Sequence, residues 1–165
     1  WRLEVVGETA VSSPYTRRIQ NQIARAGLAD RITLHGVLDD APLAAQYRHA
    51  HLLVVPSEYE GFGIVYLEAM SFGVPAIGTT AGAAGEIIQH GENGYLVAGD
   101  DSGKLAHHLH YLHHNRDELA RLSLNARQHF LTAPTWADSM GKIRPFLEKM
   151  ILGDPAGRPS PEKII

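Results

Sequence analysis

The chain has 165 residues and a formal net charge of −3, with no basic block, so one domain is expected and nucleic acid is not an expected partner. Hydrophobic residues make up 44% of it, enough to bury an ordinary core, and the absence of cysteine excludes disulfides and thiolate metal sites. No apolar run reaches the length of a membrane span and no signal peptide is visible; the first residue, Trp1, opens inside a strand pattern, so a piece of a longer protein is expected.

In chain order, Arg2 to Glu8 reads as a strand ending in a Gly turn. Tyr15 to Leu28 has apolar residues at helical spacing (Ile19, Ile23, Ala26) beside Gly27. Arg31 to Gly36 is a second strand, and Asp39-Asp40 caps a helix with Leu43, Ala44 and Tyr47 on one face. His51 to Val55 is a third strand, whose apolar run Leu52-Leu53-Val54-Val55 predicts burial on both faces. Pro56 and Ser57 end it, and a helix is expected from Ile64 to Phe72, with Gly73 and Pro75 as stop signals. Pro75 to Thr79 is a fourth short strand, Ala84 to Gln89 a short helix, Gly91 to Gly94 a turn and Tyr95 to Val97 a last strand. Three helices follow, at about Ser102–His114, Asp117–Phe130 and Trp136–Leu152, and then a tail rich in Pro and Gly over 153–165. Strands alternating with helices predict an α/β fold: a Rossmann-like, doubly wound parallel sheet with helices on both faces and a helical C-terminal region.

The stretch from Pro56 to Met70 organises the rest. Gly61 and Gly63 let the backbone turn tightly and come close to a ligand. The helix N-terminus behind them aims N–H groups and a positive dipole end forward, which suits phosphate. Ligands on such sheets bind outside the carboxyl ends of the strands, where this loop is expected. Glu60 sits in the loop, and Glu68 lies about 6 Å along the helix axis. A phosphate-holding loop between two hydroxyl-binding carboxylates suits a nucleotide sugar.

Glu60 and Glu68, with seven residues between them, and Gly61-Phe62-Gly63 and Leu67-Glu68-Ala69-Met70 resemble the signature of the family-4 retaining glycosyltransferases. These have the GT-B architecture of two Rossmann-like domains facing across a cleft. The resemblance runs from Trp1 to about Met150 and implies that residues 1–152 are the C-terminal donor-binding domain. It implies that Glu68 accepts hydrogen bonds from the ribose hydroxyls, as an ionised carboxylate can from a vicinal diol. It places Glu60 beside the transferred sugar as the candidate catalytic residue, with chemistry and orientation both open as its role. The N–H groups of Gly61, Phe62, Gly63 and Ile64 would face the diphosphate and sugar, with the Phe62 ring packing rather than stacking on a ligand. Gly7 is the counterpart of a Gly turn at the cleft and Val37 of a backbone stretch that reads the base; loop and core roles are equally open for both. Leu43 is placed beneath the base, with a core role equally open. Glu58 lies outside the signature spacing and is expected in solvent.

Ala83 and Gly85 stand where relatives often have Gly and Pro in the stretch Gly82 to Glu86, and Glu86 reads as a structural carboxylate in a helix's first turn. His107, His108, His110, His113 and His114 share one helix; a solvated polar face is expected, although His110 and His114 share a side that could hold a metal. The resemblance implies no metal requirement and no cofactor, the nucleotide sugar being the substrate. It also implies a preceding strand with an Arg and a Lys for the diphosphate, and an N-terminal domain that binds the acceptor, whether carbohydrate, lipid or small molecule. Without them no transferase activity is expected. The implied enzyme is a hexosyltransferase, cytoplasmic or peripheral at a membrane through that other domain. A GT-B epimerase and a non-catalytic nucleotide-sugar-binding module are the alternative functions; only Glu60 is available as acid or base for the former, and the intact glutamate pair argues against the latter.

Overall fold

The computed structural model describes residues 1–8 and 14–151. The expected Pro/Gly tail over 153–165 lies outside the described residues. The elements follow as β1 (Leu3–Val6), α1 (Pro14–Arg25), β2 (Ile32–Gly36), α2 (Asp40–His49), β3 (Leu53–Val55), α3 (Ile64–Ser71), β4 (Ala76–Thr79), α4 (Ala84–Ile87), β5 (Gly94–Val97), α5 (Ser102–His114), α6 (Arg116–Thr132) and α7 (Trp136–Ile151). All strand pairs are parallel, as the alternation of strand and helix predicts. The strands form two sheets, β1-β2 and β3-β4-β5. Among the described residues only β4 is paired on both edges.

That pairing corrects one expectation. The run at β3 was expected to be buried on both faces, yet Leu53, Val54 and Val55 are each half-buried. An apolar run reports affinity for a sheet interior, and β3 has a strand on one side only. Open, apolar strand edges are templates for further pairing. The expected result is self-association in sedimentation velocity at micromolar concentration. A single monomer boundary would contradict it.

The core of the larger sheet lies on both of its faces, because side chains alternate along β4. Ala76 packs with Tyr66, Met70, Ala84, Ile88 and Ala126. Ile77 turns the other way and packs with Tyr95, Val97, Leu112, Leu119 and Leu122. Helices α3, α4 and α6 cover the first cluster, and α5 and α6 the second. Burying a side chain such as Ile77 or Leu122 contributes about 2 kcal/mol. α3 is tied to α6 by the Ser123 hydroxyl donating to the Gly73 carbonyl at 2.5 Å and by the Arg127 guanidinium donating to the Ser71 carbonyl. By contrast α7 buries no side chain, and Trp136, Phe146 and Ile151 are exposed on it.

The histidines of α5 are the second correction. The expected solvated face holds for His107 and His110, but His108 is 7% exposed. It stacks on Tyr95 with ring centroids 4.1 Å apart, and its Nε2 has no hydrogen-bond partner. Helical spacing places His108 on the same side as Leu112 of the core cluster, which one polar residue type repeated along a helix conceals. The His110 and His114 rings lie 4.3 Å apart, and His114 Nδ1 bonds the His110 carbonyl.

Burial pushes the His108 pKa down, helped by Lys104, His90 and His107. The unfolded chain therefore takes up a proton that the folded one resists. This contribution is intact above the ordinary value of 6.5 and is lost as pH falls from there toward the folded pKa. Thermal unfolding should thus show stability falling as the pH drops below 6.5. His108→Leu should flatten that slope. An equal slope in both proteins would remove His108 as its cause.

Candidate functional site

The loop between β3 and α3 is held at two points. At its start, the Thr79 hydroxyl of β4 donates to the Ser57 carbonyl at 2.7 Å. At its centre, Glu60 forms an isolated parallel bridge with Gly82. There Glu60 N–H donates to the Ala81 carbonyl at 3.3 Å, and Ala83 N–H donates to the Glu60 carbonyl at 2.8 Å. Gly82 has φ +80°, and a Cβ on it would overlap the Glu60 main chain. Only glycine meets both conditions without strain. The sequence reading missed this role, treating Gly82 as part of the turn into α4. A Gly-rich stretch at a strand's end was the available signal, but its contact lies twenty-odd residues away on another connection.

Gly63 begins α3 in the left-handed region, at φ 71°. A Cβ there would meet the Tyr66 ring and Ile87. Gly61 differs, since a Cβ on it meets nothing within 4 Å. Tyr66 is 0% exposed beneath the loop and its hydroxyl has no hydrogen-bond partner. Burial pushes that hydroxyl up to about 12, and the Glu60 carboxylate adds to the rise.

The loop was expected to present free N–H groups. The structure corrects this: Glu60 Oε1 accepts from Phe62 N–H at 3.3 Å and Gly63 N–H at 3.0 Å. The carboxylate is turned back onto its own loop because two amides converge two and three residues downstream of it. Those of Gly61 and Ile64 have no intramolecular acceptor among the described residues. The Phe62 ring is a further correction. It was expected to pack, and it is 82% exposed, since the tight turn throws it outward. Tyr59 and Ile64 are exposed beside it in sequence, as is Glu58.

Glu68 is exposed on α3 and its Oε2 accepts from the Tyr47 hydroxyl at 3.3 Å. Tyr47 is buried with Leu43, Ala69 and Val74 and stacks on Phe72 at 5.4 Å. Burial, followed by the Glu68 charge, pushes Tyr47 up to about 12, so it stays a donor at neutral pH. The sequence reading placed Tyr47 on the apolar face of α2 and overlooked its polar tip, the usual partner-seeking end of a buried tyrosine. Leu43, expected beneath a base, lies in this same cluster.

Gly7 and Val37 follow β1 and β2, where Gly7 N–H donates to the Gly36 carbonyl at 2.9 Å. Val37 is 74% exposed. No hydrogen bond joins either residue to the Glu60 loop among the described residues. Glu86 is exposed in the first turn of α4. Among the described residues no cluster of three or more His, Asp or Glu could hold a metal ion.

A family model described as "Glycosyl transferases group 1" matches residues 1–129. The chain belongs to that family. It is 35% identical, over 76% of its length, to the lipopolysaccharide core biosynthesis mannosyltransferase LpsB of Rhizobium meliloti. It is 39% identical, over 64% of its length, to the D-inositol 3-phosphate glycosyltransferase of Thermobispora bispora. It spans 36% and 25% of those two relatives. Among solved structures, Anabaena HepE in complex with UDP is 27% identical, with a TM-score of 0.80 over 90% of this chain and 41% of that one. The C-terminal domain of the Francisella tularensis group 1 protein LpcC is 32% identical, with a TM-score of 0.74 over 80% of this chain and 69% of that one. This group 1 glycosyltransferase domain thus has the Rossmann-like fold expected of it, and its two glutamates stand on one loop–helix unit.

Proposed function

We propose that residues 1–152 form the donor-binding domain of a retaining, family-4-type hexosyltransferase of GT-B architecture. The observation that carries the reading is the pair Glu60 and Glu68 on one glycine-rich loop and helix, the first bonded to loop N–H groups and the second to Tyr47. The solved complexes of Anabaena HepE with UDP and with UDP-glucose support a nucleotide-sugar donor. In this reading the ribose hydroxyls donate to Glu68. The diphosphate faces Gly61 to Ile64, and the sugar meets Glu60. Gly7 and Val37 border the nucleotide.

The reaction forms a bond from the anomeric carbon to an acceptor hydroxyl and breaks its bond to the phosphate oxygen. The acceptor's proton passes to the leaving phosphate on the same face, so configuration is retained. No metal or cofactor is required. The acceptor-binding groups belong to another domain, this domain alone does not turn over, and the enzyme works in the cytoplasm or against a membrane surface.

The test incubates the full-length protein with nucleotide sugars and candidate acceptors. Release of nucleoside diphosphate with a retained anomeric configuration, read by NMR coupling constants, supports the reading. An isomerised donor would indicate an epimerase, and no turnover with tight donor binding a binding module; either would overturn it.

A further inference from the structure

The bond between Glu60 and its own loop has a consequence for the order of events at this site, given the donor-site reading above. Phe62 N–H and Gly63 N–H are two of the four loop amides that the donor phosphate needs, and both already serve a carboxylate. Two anions cannot share these donors: each amide has one hydrogen, and the charges repel. We infer that Glu60 is an internal anion that occupies the phosphate-binding amides of the empty site, leaves them when a sugar nucleotide binds, and returns to help expel the nucleoside diphosphate product.

The backbone permits the movement. The main chain of Glu60 is fixed by its bonds to Ala81 and Ala83, while among the described residues its carboxylate bonds only the two loop amides. The side chain can therefore swing without disturbing the loop. A sugar nucleotide compensates the displaced carboxylate with sugar hydroxyls as donors. A nucleoside diphosphate lacks the transferred sugar, and its ribose hydroxyls are engaged by Glu68, so it must displace Glu60 uncompensated. The same contact thus favours donor over product.

The experiment measures affinity for nucleoside diphosphate and for the corresponding nucleotide sugar by calorimetry on the full-length protein. The variants are Glu60→Ala, Glu60→Gln, the charge control Glu58→Gln and the donor-site control Glu68→Ala. Glu58 is exposed two residues away, and its side chain makes no bond to the loop amides. Removing a charged competitor for two amides should tighten nucleoside diphosphate binding about tenfold in Glu60→Ala. Glu60→Gln should fall between, because a neutral amide oxygen still accepts but less strongly. Glu58→Gln should change it less than about twofold, as a screened surface charge does. The preference for nucleotide sugar over nucleoside diphosphate should shrink in both Glu60 variants. Unchanged or weaker nucleoside diphosphate binding in Glu60→Ala would overturn the inference. So would equal tightening in Glu58→Gln, which would reduce the effect to charge alone. Wild-type protein that binds no nucleoside diphosphate, or binds it unaffected by Glu68→Ala, would instead overturn the donor-site reading and this inference with it.

Discussion

Gly82→Ala is expected to lower stability by about 3 kcal/mol, the sum of a left-handed non-glycine residue and a backbone displacement. For a chain of this size that corresponds to roughly 10 °C in Tm. The reason is local and severe. The new Cβ would overlap the carbonyl oxygen, carbonyl carbon and nitrogen of Glu60, and main-chain atoms cannot move aside as a side-chain tip can. The chain must open the bridge between Glu60 and Gly82, and the bonds from Glu60 N–H to Ala81 and from Ala83 N–H to Glu60 go with it. Donor binding should be lost together with stability, since Glu60 and the loop amides then have no fixed position. Gly61→Ala is the matched control. Its Cβ meets nothing within 4 Å, and its φ is not in the left-handed region. Its stability should stay within about 1 kcal/mol of the parent or rise slightly. Thermal unfolding of the two variants compares them directly. Equal Tm values would show that the Gly82 contact does not hold the loop.

Glu68→Ala should weaken nucleotide-sugar binding about a hundredfold. In the proposed donor site, two ribose hydroxyls donating to the Glu68 carboxylate would contribute about 3 kcal/mol together, taking the low end for an exposed acceptor. The fold should be unaffected, because Glu68 is exposed and buries nothing. Tyr47→Phe isolates the supporting bond. The ring's stacking on Phe72 and its packing with Leu43, Ala69 and Val74 remain, and only the 3.3 Å bond to Glu68 disappears. That bond is long, so a loss of about threefold in affinity is expected, near the low end for one hydrogen bond. If Tyr47→Phe costs as much as Glu68→Ala, the tyrosine touches the ligand itself rather than orienting the glutamate.

The strand, loop and helix around Glu60 were legible because their signals are local. Val54 and Val55 announce a strand, Gly61 and Gly63 a turn, and the apolar spacing after Ile64 a helix. The parallel α/β class followed from the order of such segments. What was illegible depends on pairs of residues far apart in sequence. The Glu60–Gly82 bridge joins two different strand–helix connections, and the Tyr47–Glu68 bond joins α2 to α3. Periodicity places a residue on a face of its own helix or strand and does not say what that face meets. The division of the strands into two sheets is a matter of pairing, which apolar runs do not encode, so β3 was expected to be more buried than it is. The outward Phe62 follows from the tight turn and the inward His108 from its place on the Leu112 side of α5; in both, position outweighed residue type.

The most direct test of the central claim is calorimetric titration of the protein with UDP-, GDP- and ADP-sugars, beside a Glu68→Ala variant shown by circular dichroism to be folded. The account predicts binding of one nucleotide series, which identifies the base, and its loss in the variant. Binding that survives Glu68→Ala unchanged would contradict the assignment of the donor site to this loop and helix.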